Sequence, residues 1–313
     1  MKRVAIYTFW ERQGIVRDYV FYYLDALKTV SERVIVVVNG TICEDNRLQL
    51  IERGIEVLVR ENEGLDFSAW KYALETITYE RLSDYDELIL CNCSVYGPVY
   101  PFGEMFDRMA QDDCDFWGIT CVPEDREAFL IKDDKSSYIK EHLQSYFLVF
   151  RKQVLVSQAF FAWWKDLKQS RSFWEEVAEH EMKFTPYLQA HGFKKSSLYQ
   201  SVWKWNPTLY EPLAMLKVRV PFVKRKLFSI HHNKLIDKIS IDTLSFVDEK
   251  SPYDVNLIYE DLKGIGAKAS LDSKLKNQGL VNLFFNLNVC RYQLLSIFSS
   301  KYKDKFEALK RIS

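Results

Sequence analysis

The 313-residue chain contains no apolar run approaching the roughly 18 residues that a membrane-spanning helix needs, so no spanning helix is predicted. It lacks Gly-x-Gly-x-x-Gly and any Walker sequence, which argues against dinucleotide and P-loop sites. Its six cysteines include no Cys-x-x-Cys and no Cys/His pairing of zinc spacing, and they read as reduced core thiols of a cytoplasmic protein. Residues 1–10 do not read as a signal peptide either. Their apolar stretch is short, ends at Glu11-Arg12 and lacks a small-residue cleavage site. There is no internal repeat and no low-complexity segment.

Net charge is missing too, with 43 basic residues against 43 acidic, but the charge is unevenly placed. Residues 217–313 hold 18 Lys+Arg against 10 Asp+Glu, and the first 216 residues carry the opposite excess. A basic tail on an acidic body suits a partner-binding or membrane-surface segment, or a solvated helical surface. Within that tail Leu280, Leu283, Phe284, Leu287, Leu294 and Phe298 recur at helical spacing beside Lys301, Lys303 and Lys305. Amphipathic basic helices of this kind lie on anionic membranes, although packing onto the body or onto a second subunit fits the pattern equally. No nucleic-acid-binding signature accompanies the basic segments, so no nucleic acid partner is expected.

What the chain has in abundance is apolar surface: 48% of residues are hydrophobic and 15% are aromatic. That is enough for a sizeable core and for rings that pack against sugar faces. Apolar runs at 4–10, 33–38, 55–60 and 85–91 read as strands, and the segments 15–30, 48–53 and 67–78 between them read as helices. This alternation predicts an α/β fold, a doubly wound, mostly parallel sheet with helices on both faces. Further strands are predicted at 115–120 and 146–150, and helices at 154–167 and 173–191. Gly192 caps the second of these, and Pro186 warns that it is two pieces. A first domain over 1–230 and a helical, basic extension over 231–313 complete the expected organisation.

In such a sheet, ligands gather at the carboxyl ends of the strands. Here those ends are polar: Thr8, Asn39, the turn 61–64, and Asn92-Cys93-Ser94. Gly64 lets backbone approach a ligand, Asn62 can read a base or ribose edge, and Asp66 can accept from ribose hydroxyls or simply cap the next helix. Asn92 and Ser94 can hold a ligand's anionic group by hydrogen bonds, with Lys71, Lys224 or Arg225 balancing its charge. Lys224 and Arg225 suit a membrane-facing patch as well. Trp117 offers a ring for a sugar face, and His142 and Gln144 offer contacts to hydroxyls. His231-His232 is not expected to bind a metal, because adjacent helical side chains diverge.

Five blocks in order carry a family resemblance: Glu61-Asn-x-Gly-x-Asp66 with Trp70-Lys71, Asn92-x-Ser-x-Tyr-Gly-Pro98, Asp115-Phe-Trp-Gly118, His142-Leu-Gln-Ser-Tyr-Phe147 and Pro221-Phe-Val-Lys-Arg225. Through them the sequence resembles the rhamnan synthesis protein F family of bacterial polysaccharide glycosyltransferases. The resemblance implies a GT-A-like fold and transfer of a sugar, rhamnose in the best-known members, from a nucleotide sugar such as dTDP-rhamnose. The implied acceptor is a lipid-linked glycan of O-antigen, rhamnan or capsule, at the inner face of the cytoplasmic membrane. Similar sequences place Asp where this chain has Cys93. A hard Mg²⁺ or Mn²⁺ prefers carboxylate oxygen to a thiol, so Cys93 argues against a metal cofactor. Likeness to inverting GT-A enzymes implies Glu181 as the base that takes the acceptor proton, with Glu179 as the fallback and His180 where a first acid usually lies. The alternatives are a non-catalytic nucleotide-sugar-binding or scaffolding module, and a galactosyl- or glucosyltransferase on the same fold.

Overall fold

The computed structural model describes residues 1–129, 138–201, 206–229 and 234–267. The amphipathic pattern of the tail and the pair His231-His232 lie outside the described residues. Strands in chain order are β1 (Arg3–Phe9), β2 (Arg33–Asn39), β3 (Glu56–Arg60), β4 (Glu87–Asn92), β5 (Val95–Tyr96), β6 (Phe116–Val122), β7 (Asp125–Phe129), β8 (Tyr138–Ile139), β9 (His142–Leu143), β10 (Phe147–Arg151), β11 (Lys195–Gln200) and β12 (Val223–Lys224). By packing, the described residues divide into two compact units, one within residues 1–94 and 101–204, the other within residues 95–100 and 205–313. Residues 206–229 therefore group with the helices that follow them, whereas the sequence reading closed the first domain at 230.

The first unit is built on an eight-stranded sheet of order β11-β6-β10-β4-β1-β2-β3, with β9 paired to β6. Strands β3, β2, β1 and β4 run parallel, as does β11 beside β6, whereas β10 is antiparallel to both β4 and β6. The sheet is thus α/β and mostly parallel, as the periodicity predicts. Among the described residues between β6 and β10 there are only short strands, and a neighbouring strand that returns without a crossover helix runs antiparallel. Strands β1, β2, β4 and β6 are buried almost throughout, which is why their sequences are continuous apolar runs. The β3 edge is half open, and Glu56 there takes a bidentate pair from Arg33 of β2 at 2.6 and 2.7 Å.

The helix Leu65–Ile77 buries Phe67, Trp70, Ala73, Leu74 and Ile77, and Trp70 Nε1 donates to the Cys91 carbonyl at 3.3 Å, fastening the helix beside the end of β4. Much of the aromatic surplus goes into core packing around Phe67, whose ring meets Trp70, Trp164, Phe184 and His180 at 5.1 to 5.9 Å. The expected helix at 154–167 is two helices, Lys152–Leu155 and Gln158–Asp166, because Ser157 caps the second by accepting from Phe160 N at 3.1 Å. From Phe173 to Ala190 the chain is continuously helical, with a wide π turn over Val177–Glu181. Pro186 does not split it: the carbonyl a proline would leave unbonded belongs to Met182, at the junction of π turn and α-helix, where the bonding register already changes. Cys91, Cys114 and Cys121 are buried core thiols, Cys93 is half-buried and Cys43 is exposed.

In the second unit β5 pairs antiparallel with β12, and the helices Pro207–Tyr210, Pro212–Lys217, Lys226–Ser229, Lys234–Lys250 and Asn256–Gly264 follow. Its polar anchor is Asp261, which accepts from Tyr96 Oη at 2.6 Å and from Arg225 Nε and Nη2 at 3.0 Å each.

Candidate functional site

Strand register brings the polar ends together. Thr8 of β1 stands opposite Asn92 of β4, and Asn39 of β2 stands opposite Arg60 of β3, all along the carboxyl edge of the parallel strands. Buried Asn92 is held at both ends of its amide: Nδ2 donates to Asp66 Oδ2 at 2.8 Å, while Oδ1 accepts from Ser94 N at 3.1 Å and Ser94 Oγ at 2.6 Å. Asp66 is not the helix cap. The cap position is Gly64, left-handed at φ +66, which has no side chain to offer. The acceptor comes from Glu176 instead, whose Oε1 takes the Phe67 N–H at 2.9 Å and leaves Asp66 to hold Asn92. A Cβ on Gly64 would lie 2.1 Å from Ser68 Oγ and 2.4 Å from Gln169 Cγ, so the turn is closed to any larger residue.

Two other edge residues differ in availability. Thr8 Oγ1 is buried without a hydrogen-bond partner, and Asn62 is exposed on the turn. Asn39 is committed, since its Nδ2 donates to the Leu65 carbonyl at 3.3 Å and its Oδ1 accepts from Arg60 Nη1 at 2.7 Å. Arg60, which also donates to the Glu63 carbonyl at 2.8 Å, was not singled out in the sequence. The signal for it was a cation closing an edge strand just before the polar turn. Burial lowers its pKa from the usual arginine value.

The structure reassigns several expected contacts. Lys71 does not point at an anion: its Nζ donates to the carbonyls of Lys165 and Leu167 at 3.1 and 3.2 Å, satisfying the end of the helix Gln158–Asp166. Trp117 is no surface ring, because β6 is covered on both faces and the indole packs against Phe106 at 5.4 Å. Arg225 lies in the second unit and is bound bidentately to Asp261, while the adjacent Lys224 sits half-buried in β12. Gln144 is buried and accepts from Thr120 Oγ1 at 2.8 Å.

A second cluster surrounds the π turn. Glu181 Oε2 accepts from Ser145 N at 2.9 Å and from Ser145 Oγ, and its Oε1 lies 3.6 Å from His142 Nε2. His142 Nδ1 in turn donates to the Lys140 carbonyl at 2.6 Å. Burial pushes the Glu181 carboxyl up, but the bonds and charge offered by His142 and Ser145 outweigh it and hold the group at about 2. Both oxygens are therefore engaged. Glu179 is exposed and paired with Lys183 at 2.6 Å. Glu176 was missed in the sequence, where it reads as one more acid on a helix. Burial, with the charges of Asp66 and Glu181 nearby, raises it to about 7, a value suited to proton transfer near neutrality. Its Oε2 lies 3.8 Å from His180 Nε2, and His180 is itself buried.

Position 93 offers a thiol whose Sγ lies 3.7 Å from the Trp10 carbonyl, Asn92 is bound at both ends, and Asp66 contributes a carboxylate already accepting from Asn92. Among the described residues no group of three His, Cys, Asp or Glu side chains is placed to hold a metal.

Comparison with solved structures finds HddC from Yersinia pseudotuberculosis at 13% identity and a TM-score of 0.37, covering 64% of this chain and 91% of that one. TarS 1-349 from S. aureus gives 11% and 0.39, covering 88% and 71%. A putative nucleotide-diphospho-sugar transferase from Desulfovibrio desulfuricans G20 gives 15% and 0.37, covering 69% and 95%. Among curated sequences the uncharacterized protein y4gN of Sinorhizobium fredii (strain NBRC 101917 / NGR234) is 26% identical over 197 residues, 63% of this chain and 48% of the relative. The chain thus spans about half the length of that relative. The model of one family matches residues 34–289, most of the chain and all the clusters just described from β2 onward, and the chain accordingly belongs to the rhamnan synthesis protein F family.

Proposed function

We propose that the chain is a glycosyltransferase of bacterial surface polysaccharide synthesis, moving a sugar from a nucleotide donor to a lipid-linked glycan. The family name favours rhamnose as the sugar, and the donor in this reading is dTDP-rhamnose. The observation that carries this reading is the Asp66–Asn92–Ser94 network at the carboxyl edge of parallel strands, beside an unpartnered Thr8 hydroxyl and an exposed Asn62. Asn62 and Asp66 meet the nucleoside there, and Ser94 and Asn92 meet the pyrophosphate without need of a metal. In direct displacement the acceptor oxygen bonds to the anomeric carbon as the bond to the donor phosphate oxygen breaks, and the acceptor proton passes to a carboxylate. Glu181 takes that proton once the acceptor hydroxyl replaces Ser145 Oγ on Oε2. The basic tail holds the enzyme at the inner face of the membrane, where a lipid-linked acceptor resides.

The test is thermal stabilisation by thymidine, uridine and guanosine diphosphate sugars, each with Mg²⁺, with Mn²⁺ and with chelator. A donor present at about 100 times its Kd adds roughly 2.7 kcal/mol to native-state stability. One donor should stabilise selectively, and equally in chelator. Absence of a shift with every donor would favour the second reading, a non-catalytic sugar-nucleotide or scaffolding module. Cys93 and the fully engaged Glu181 support that second reading. Cys93→Asp separates the two: metal-dependent turnover gained from an inactive parent would mark a degenerate transferase.

A further inference from the structure

In the first unit, the helix Gln158–Asp166, the segment after it and the helical run from Phe173 line a cleft of about 400 Å³ that plays no part in the donor contacts. Trp163, Asp166, Gln169, Glu179, His180 and Tyr187 stand in its wall. One of its donors is buried and unmet: Trp163 Nε1 has no hydrogen-bond partner, whereas His180 Nε2, on a residue only 6% exposed, faces Glu176 Oε2 at 3.8 Å. Such groups cost stability unless something else satisfies them. Burial lowers the His180 pKa, favouring the uncharged ring.

The lining carries Asp166, Glu175 and Glu179 against a single cation among the described residues, Lys168. Carboxylates repel phosphate but accept from hydroxyl groups, while Trp163 and Tyr187, with ring centres 5.0 Å apart, offer apolar surface for the C–H face of a pyranose. The cleft also shares a wall with the donor edge. Gln169 Nε2 donates to Glu63 Oε2 at 2.9 Å, and its Cγ crowds Gly64, two residues before Asp66. We infer that this cleft is an acceptor site and that it takes a neutral saccharide, not a nucleotide or a phosphorylated group. The inference rests on the transferase reading and gives a place to the acceptor's sugars beyond the reacting one, since Glu181 and Ser145 do not line the cleft.

The probe is a neutral rhamnose trisaccharide, with dTDP and UDP as separate ligands, each titrated by calorimetry into the full chain. Two variants test the cleft. Asp166→Lys places a cation in the last turn of a helix, where the dipole favours it, so the fold is preserved. Trp163→Phe keeps a ring against Phe184 and removes the indole N–H. Each should weaken the trisaccharide by tenfold or more and leave nucleotide affinity within twofold. Trisaccharide affinity unchanged in both variants, or no trisaccharide binding by a protein that binds a nucleotide, would overturn the acceptor site while the transferase reading stands. Binding of neither ligand would overturn both.

Discussion

Replacing Glu181 by Gln isolates the charge on the most strongly shifted accessible carboxylate. An ordinary value of 4.5 held at about 2 corresponds to about 3 kcal/mol of native-state stability at neutral pH, at about 1.4 kcal/mol per tenfold change in proton affinity. The side chain is 16% exposed, so solvent screening leaves most of this in place. The folded value lies below the unfolded one, and the contribution is therefore complete above about pH 4.5 and fades as pH falls towards about 2. Glutamine retains an oxygen to accept the Ser145 N–H and loses only the charge-assisted part. Urea unfolding followed by the emission of buried Trp70, Trp117 and Trp164 measures the gap between the two proteins. The gap should be about 3 kcal/mol near neutral pH and should close progressively below about pH 4.5, because the contribution of the Glu181 charge is lost as that carboxylate takes up its proton. A gap that stays constant with pH, or no gap at neutrality, would refute the reasoning.

Gly64→Ala forces a side chain into a left-handed backbone and against Ser68 and Gln169; a loss of about 2 kcal/mol by calorimetry and weaker nucleotide binding are expected. Arg225→Ala leaves the carboxylate of Asp261 buried beside Tyr96 without its cation and should destabilise by about 3–5 kcal/mol in chemical denaturation. An Arg225→Ala protein as stable as the parent would mean that the pair contributes little to the second unit.

The strands of the large sheet were legible to within two residues at 4–10, 33–38, 55–60, 85–91, 115–120 and 146–150, because continuous β-branched and aromatic runs have no other use at that length. The polar strand ends were legible as well, and parallel register alone sufficed to bring Thr8, Asn39 and Asn92 to one edge. Long cations were not. Lys71 and Arg225 choose partners 94 and 36 residues away, and nothing in a local pattern distinguishes a carbonyl or a buried Asp from a phosphate. Trp117 sits in an apolar run that itself argued for the core, which is where β6 places it. The π turn left no mark in the spacing, since Glu176 and His180 are four apart as in any helix, so Glu176 stayed hidden among the acids.

The capping of Phe67 by a carboxylate 109 residues further on has a consequence for how the molecule assembles. The four parallel strands and the helix Leu65–Ile77 are all contained in the first 92 residues, and the pairing of β1 with β2 and β4 and of β2 with β3 involves no later sequence. The first turn of that helix, and with it the orientation of Asp66 towards Asn92, is completed only when the loop to Glu176 closes. Contacts of such sequence separation are slow to form. The residues of all four parallel strands are therefore synthesised before the one that completes the polar edge, and that edge is finished only after the segment bearing the second cleft has been synthesised and docked.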